Sequence, residues 1–107
     1  MESIRSDIEE IDFKLLELLK KRFEKAILIA NYKKDNNLPI YDENREKLLI
    51  EKLQSKNVID SSHVDRLWNE IFSISRNIQE DINKLEISDK KIQPPLKIKL
   101  SRRLSLN

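Results

Sequence analysis

From Ser3 to Lys34 the chain runs 32 residues without a Gly or Pro while apolar residues recur at helical spacing, and nothing else constrains its fold as strongly. Ile4, Ile8, Ile11, Leu15 and Leu18 form one seam, and Leu16, Leu19, Phe23, Ala26 and Ala30 a second. Ser3 is the expected N-cap. A helix of that length spans roughly 48 Å, several times the roughly 13 Å radius of gyration of a 100-residue globule. The rest of the chain is too short to cover both seams along it, so a second copy is expected against them.

The run Asp35-Asn-Asn-Leu-Pro39 ends this helix, because Asn favours turns and Pro39 pushes Leu38 out of the helical region. Asp42 caps a second helix running through Leu48, Leu49 and Leu53 to about Ser55. Asp60, Ser61 and Ser62 offer caps for a third, whose stripe is Val64, Leu67, Trp68, Ile71, Phe72, Ile78, Ile82 and Leu85. The whole chain of 107 residues contains no Gly, which makes the primed turns of tight hairpins hard to build. The expectation is an all-α fold with three helices per chain, a very long first helix and an intertwined homodimer.

Cys is absent and His63 is the single histidine, so disulfides, thiolate nucleophiles and His/Cys metal clusters are excluded. No apolar run approaches the length of a membrane span, and no leader-like segment opens the chain, so a cytoplasmic protein with no membrane contact is expected. The net charge of +2 is unevenly placed. From Glu86 onward there are six basic and two acidic residues, whereas the first 85 residues carry 15 basic and 17 acidic ones. The expected division is a helical domain over 1–85 and a basic tail over 86–107, flexible or packed on the surface. The folded part has no bulk attraction for nucleic acid.

The informative residues are polar ones that interrupt the apolar stripes. Continued at its own period, the first seam lands on Arg22. Lys33 follows about 16 Å along the axis and about 20° around it, on the same face. Ser75 interrupts the third stripe and Gln79 lies one turn further on. Asp42, Arg45 and Glu46 share a face of the second helix. Taken singly, each has a plainer reading: a cation paired on a neighbouring helix, a tolerated serine, a solvated glutamine, a helix cap with a surface ion pair. Together they describe a pocket for a small dianion that also carries a hydroxyl. With no His, Cys or serine–base pair available, catalysis there has to be electrostatic and positional.

The segments Ile4-Arg5-Ser-Asp-Ile-Glu-Glu-Ile-Asp12, Leu15-Leu-Glu-Leu-Leu-Lys-Lys-Arg22, Ile29-Ala-Asn-Tyr-Lys33, Pro39-Ile-Tyr-Asp42-Glu-Asn-Arg45-Glu46 and Ser75-Arg-Asn-Ile-Gln79 resemble the all-helical chorismate mutases in order and spacing. The resemblance runs from about residue 3 to residue 83. It implies an isomerase of the free-standing type that converts chorismate to prephenate in aromatic amino-acid biosynthesis, without cofactor or metal. It also implies an intertwined dimer in which Arg5 crosses to the partner's site. By the same resemblance Arg22, Arg45 and Arg5 hold the two substrate carboxylates, with Ser75 at the ring carboxylate. Lys33 and Gln79 bond the ether oxygen, with Arg22 counted beside them as catalytic. Glu46, with the backbone near Asp42, holds the ring hydroxyl.

Isochorismate pyruvate-lyases share this fold, but those relatives tend to lack an acid at the position of Glu46 and a serine at that of Ser75. A non-catalytic helical dimer with a basic binding tail is a further alternative. It leaves unexplained why polar residues on three helices interrupt the pattern at compatible places. The chain has no length for a fused dehydratase, dehydrogenase or regulatory domain, so no feedback site is expected. The tail is expected to be solvated, with packing on the dimer or docking to another enzyme of the pathway as alternatives.

Overall fold

In a computed structural model, residues 1–85 are described, and they form three α-helices and no strand. The expected tail over 86–107 lies outside the described residues. Helix α1 spans Glu2–Asp35, α2 spans Glu43–Gln54 and α3 spans Ser61–Leu85. At 34 residues, α1 extends about 51 Å.

The helix ends follow from local chemistry, with one departure. Met1, not Ser3, occupies the N-cap of α1, no side chain caps it, and Ser3 falls within the first turn. At the other end, Leu38 N–H donates to the Lys33 carbonyl at 2.8 Å and Asn37 N–H to that of Lys34 at 3.3 Å. This is a Schellman closure. Asn37 adopts φ 54°, the left-handed conformation ordinarily given to Gly, and Asn57 does the same after α2. Asp42 caps α2 as expected, its Oδ1 accepting from Arg45 N–H at 3.1 Å. Asp60 caps α3: its carbonyl accepts from His63 and Val64, and its carboxylate from the Ser62 N–H and hydroxyl. These bonds hold the Asp60 carboxyl below its ordinary range.

The core lies between the C-terminal halves of α1 and α3, where Ile27, Ala30, Ile78 and Ile82 are buried and Phe23 packs against them. Ile27 is fully buried although it lies on neither of the two seams read from the sequence: it flanks the second seam on the side away from the first, and α3 packs along that flank. On α3, Val64, Phe72, Ile78 and Ile82 are buried as the stripe requires, but Leu67 is 51% exposed. Ser75 is buried within that stripe. The backbone of α3 runs close to both other helices, while the backbones of α1 and α2 stay apart. A gap between them is the geometric result.

The first seam has no cover within one chain. Ile4, Ile8, Ile11, Leu15 and Leu18 are each 51–60% exposed, and Phe13 and Leu16 are 65% exposed. No helix among the described residues is long and apolar enough to cross a membrane.

Candidate active site

The gap between α1 and α2, floored by α3, forms a cavity of about 310 Å³, at the small end of the range for ligand sites. Helix α1 contributes Arg22, Lys25, Ala26, Ile29 and Lys33, which stand at helical spacing on one face. Ile40 comes from the connection. From α2 come its cap Asp42, then Arg45, Glu46 and Leu49, and from α3 Phe72, Ser75, Arg76 and Gln79. Seven of the eight residues singled out from the sequence therefore meet at one place. The eighth, Arg5, lies on the exposed first turn of α1, 3.9 Å from Glu2, outside the cavity of its own chain.

Five cations and two carboxylates line the cavity, so it carries an excess of three positive charges. The Arg22 guanidinium rests 5.5 Å from the Phe72 ring centroid. Burial pulls its pKa down from the ordinary value, and the negative charge of Glu46 opposes that effect. An arginine partly desolvated against an aromatic face is less satisfied by water and better disposed to pair with an incoming anion. The Lys33 ammonium donates to the Ile40 carbonyl at 2.6 Å, tying the last turn of α1 to the connection before α2. That bond takes one of its three donors.

Gln79 is buried, its Nε2 standing 3.3 Å from the Ser75 hydroxyl while Oε1 is buried with no partner. Glu46 pairs with Arg76 on α3 through Nη1–Oε contacts of 2.6 and 2.5 Å. Arg76 also lies 4.8 Å from the Tyr41 ring centroid.

Arg76 and Lys25 are the charged lining residues that reading the stripes missed. Both were within its reach. Arg76 is i+4 from Phe72 and i−3 from Gln79, and Lys25 is i+3 from Arg22, so the face rule that selects Ser75 and Lys33 selects them too. Among the described residues no group of three or more His, Cys, Asp or Glu converges to hold a metal.

A curated relative, the bifunctional chorismate mutase/prephenate dehydratase of Buchnera aphidicola subsp. Schizaphis graminum (strain Sg), is 41% identical over 76 residues. The match covers 68% of this chain and 20% of the relative, so the chain spans about a fifth of that protein's length. No solved structure matches. The family described as chorismate mutase type II matches residues 4–80, from the first turn of α1 to the residue after Gln79, and the chain belongs to that family.

Proposed function

We propose that the chain is a chorismate mutase, an isomerase that rearranges chorismate to prephenate in aromatic amino-acid biosynthesis. The observation that carries this reading is one cavity of about 310 Å³ where five cations, a buried hydroxyl–amide pair and two carboxylates converge without a His or Cys. Such a lining suits a small dicarboxylate with a ring hydroxyl, and a reaction that needs no covalent intermediate.

The chemistry is a concerted [3,3] shift through a chair-like transition state. The C–O bond to the enolpyruvyl oxygen breaks as a C–C bond forms, and negative charge builds on the ether oxygen. Arg22 and Arg45 hold the substrate carboxylates, with Ser75 at the ring carboxylate, and so fold the side arm over the ring. Apolar walls at Ala26, Ile29, Leu49 and Phe72 exclude water from the compact conformer. Lys33 and the Gln79 amide donate to the ether oxygen, where charge is greatest in the transition state, and such donors lower the barrier. Glu46 accepts from the ring hydroxyl, beside the backbone at Asp42.

The working unit is a homodimer. The exposed seam Ile4 to Leu18 is continuous over about 20 Å and too apolar to face water, and a second α1 presents its complement. In that assembly Arg5 reaches the partner's cavity and completes the carboxylate clamp. Arg5 and Arg22 stand roughly 25 Å apart along one helix, which supports assigning them to different sites.

The test is to incubate the purified chain with chorismate and identify the product, with isochorismate as a parallel substrate. Prephenate from chorismate supports the reading, and pyruvate from isochorismate alone overturns it. The shared site is tested by mixing Arg5→Ala and Arg22→Ala chains, each inactive alone. Random exchange into dimers should restore roughly a quarter of parental activity, since half the chains pair unlike and one of two sites is then intact. No recovery despite exchange would mean that Arg5 does not serve the partner's site.

A further inference from the structure

The contact between Arg76 and Glu46 joins residues 30 apart in sequence, on α3 and α2, and the side chains are only 29% and 20% exposed. Arg76 Nη1 reaches both carboxylate oxygens, at 2.6 and 2.5 Å. The guanidinium is itself stacked 4.8 Å from Tyr41 in the connection before α2. One arginine thus fixes a glutamate in the first turn of a short helix against the floor of the cavity. The carboxylate keeps acceptor capacity, since its two oxygens offer about four lone-pair sites and Arg76 takes two.

Without Arg76, Glu46 has other cations to turn to. Arg22 and Arg45 line the same cavity, and Arg22 already feels the Glu46 charge. A released Glu46 would fold onto them and occupy the groups that must receive the ligand's carboxylates. We infer that Arg76 is a positioning residue: it pins Glu46 as the acceptor for the ligand's ring hydroxyl and keeps that carboxylate off Arg22 and Arg45. This rests on the mutase reading and on Glu46 as the hydroxyl's partner. Recognition of a hydroxylated dianion then depends on a cation that need not touch the ligand.

The test uses the full chain and steady-state kinetics on chorismate for the parent, Arg76→Met, Arg76→Lys, Glu46→Gln and the Glu46→Gln/Arg76→Met pair, with thermal melting in parallel. Arg76→Met should raise KM about tenfold while kcat stays within about threefold, the split expected for lost ground-state binding. In the Glu46→Gln background the same substitution should change KM by less than about twofold, because there is no carboxylate left to misplace. Arg76→Lys restores the charge without the planar guanidinium that stacks on Tyr41 and should recover part of the KM. It also serves as the folded probe if the Met variant melts. An equal loss in both backgrounds would show Arg76 acting on the ligand itself and overturn the inference, as would an unchanged KM in Arg76→Met. A parent that makes no prephenate fails the mutase reading and this inference with it; an active parent with multiplicative losses fails the inference alone.

Discussion

Replacing Lys33 with Ala tests the proposed chemistry most sharply. Its Nζ is held at 2.6 Å from the Ile40 carbonyl, which spends one donor and leaves two for the cavity. If one of these meets the developing charge on the ether oxygen, its loss should cost about 2.7–4 kcal/mol, or about 10²–10³ in kcat. The substitution also unties α1 from the connection before α2. A charge-assisted bond at a half-exposed site is worth about 1 kcal/mol after solvent screening, which lowers Tm by about 4–8 °C in a chain of this size. The two effects separate experimentally. Initial rates of chorismate loss at 25 °C, with circular dichroism showing the variant folded, report the chemical term alone. The expected result is a fall in kcat of at least about 10²-fold with KM moved less than about tenfold. A folded Lys33→Ala protein turning over within about threefold of the parent would refute the assignment of Lys33 to the ether oxygen.

Three further outcomes are expected. Gln79 does not titrate, so parental activity should need no acid pH, whereas Gln79→Glu should work only where the new carboxyl is protonated and lose activity steadily as pH rises; a flat pH–rate profile in that variant would remove Gln79 from the reacting oxygen. Burial raises the Asp81 carboxyl above its ordinary range, so the folded chain holds that proton longer than the unfolded chain and stability falls as pH climbs from about 4 through the raised value. Asp81→Asn should therefore melt a few degrees higher at pH 7 and lose the advantage in acid, while a lower melting point at pH 7 would mean a second chain supplies a donor to Asp81. Truncation before Pro94 should leave kcat and KM within about twofold of the parent, and a larger loss would assign the basic tail a part in the site.

Most of the architecture is legible because it rests on local rules. The uninterrupted run to Lys34, the turn at Asp35–Pro39 and the caps Asp42 and Asp60 each follow from a few neighbouring residues. The start of α1 is less legible, since Ser3 is a good cap in general yet the helix is already formed at Glu2 with no side chain capping it. Periodicity found the faces: Ser75 breaks a stripe that the fold buries, and Arg22, Lys33 and Gln79, read from the faces beside the stripes, line the same cavity with it. It could not find which cation serves Glu46, because that depends on how α2 lies on α3, a relation between segments 30 residues apart. Nor could it give Ile27 as a fully buried core position, since a helix with apolar residues on two seams leaves open which line its neighbour follows.

The separation of the α1 and α2 backbones has a thermodynamic consequence. Where other small helical proteins seal a third interface, this one leaves an electropositive space, with the Lys33–Ile40 bond tying α1 to the connection before α2. A dianion bound there serves as the missing interface, screening five mutually repelling cations and joining two helices that the chain alone does not join. Ligand affinity and conformational stability are then one linked quantity: saturation at about 100 times Kd should stabilise the folded state by about 2.7 kcal/mol. Amide hydrogens around Ile40 and the first turn of α2 should exchange fastest in the empty protein and slow most when a ligand closes the gap.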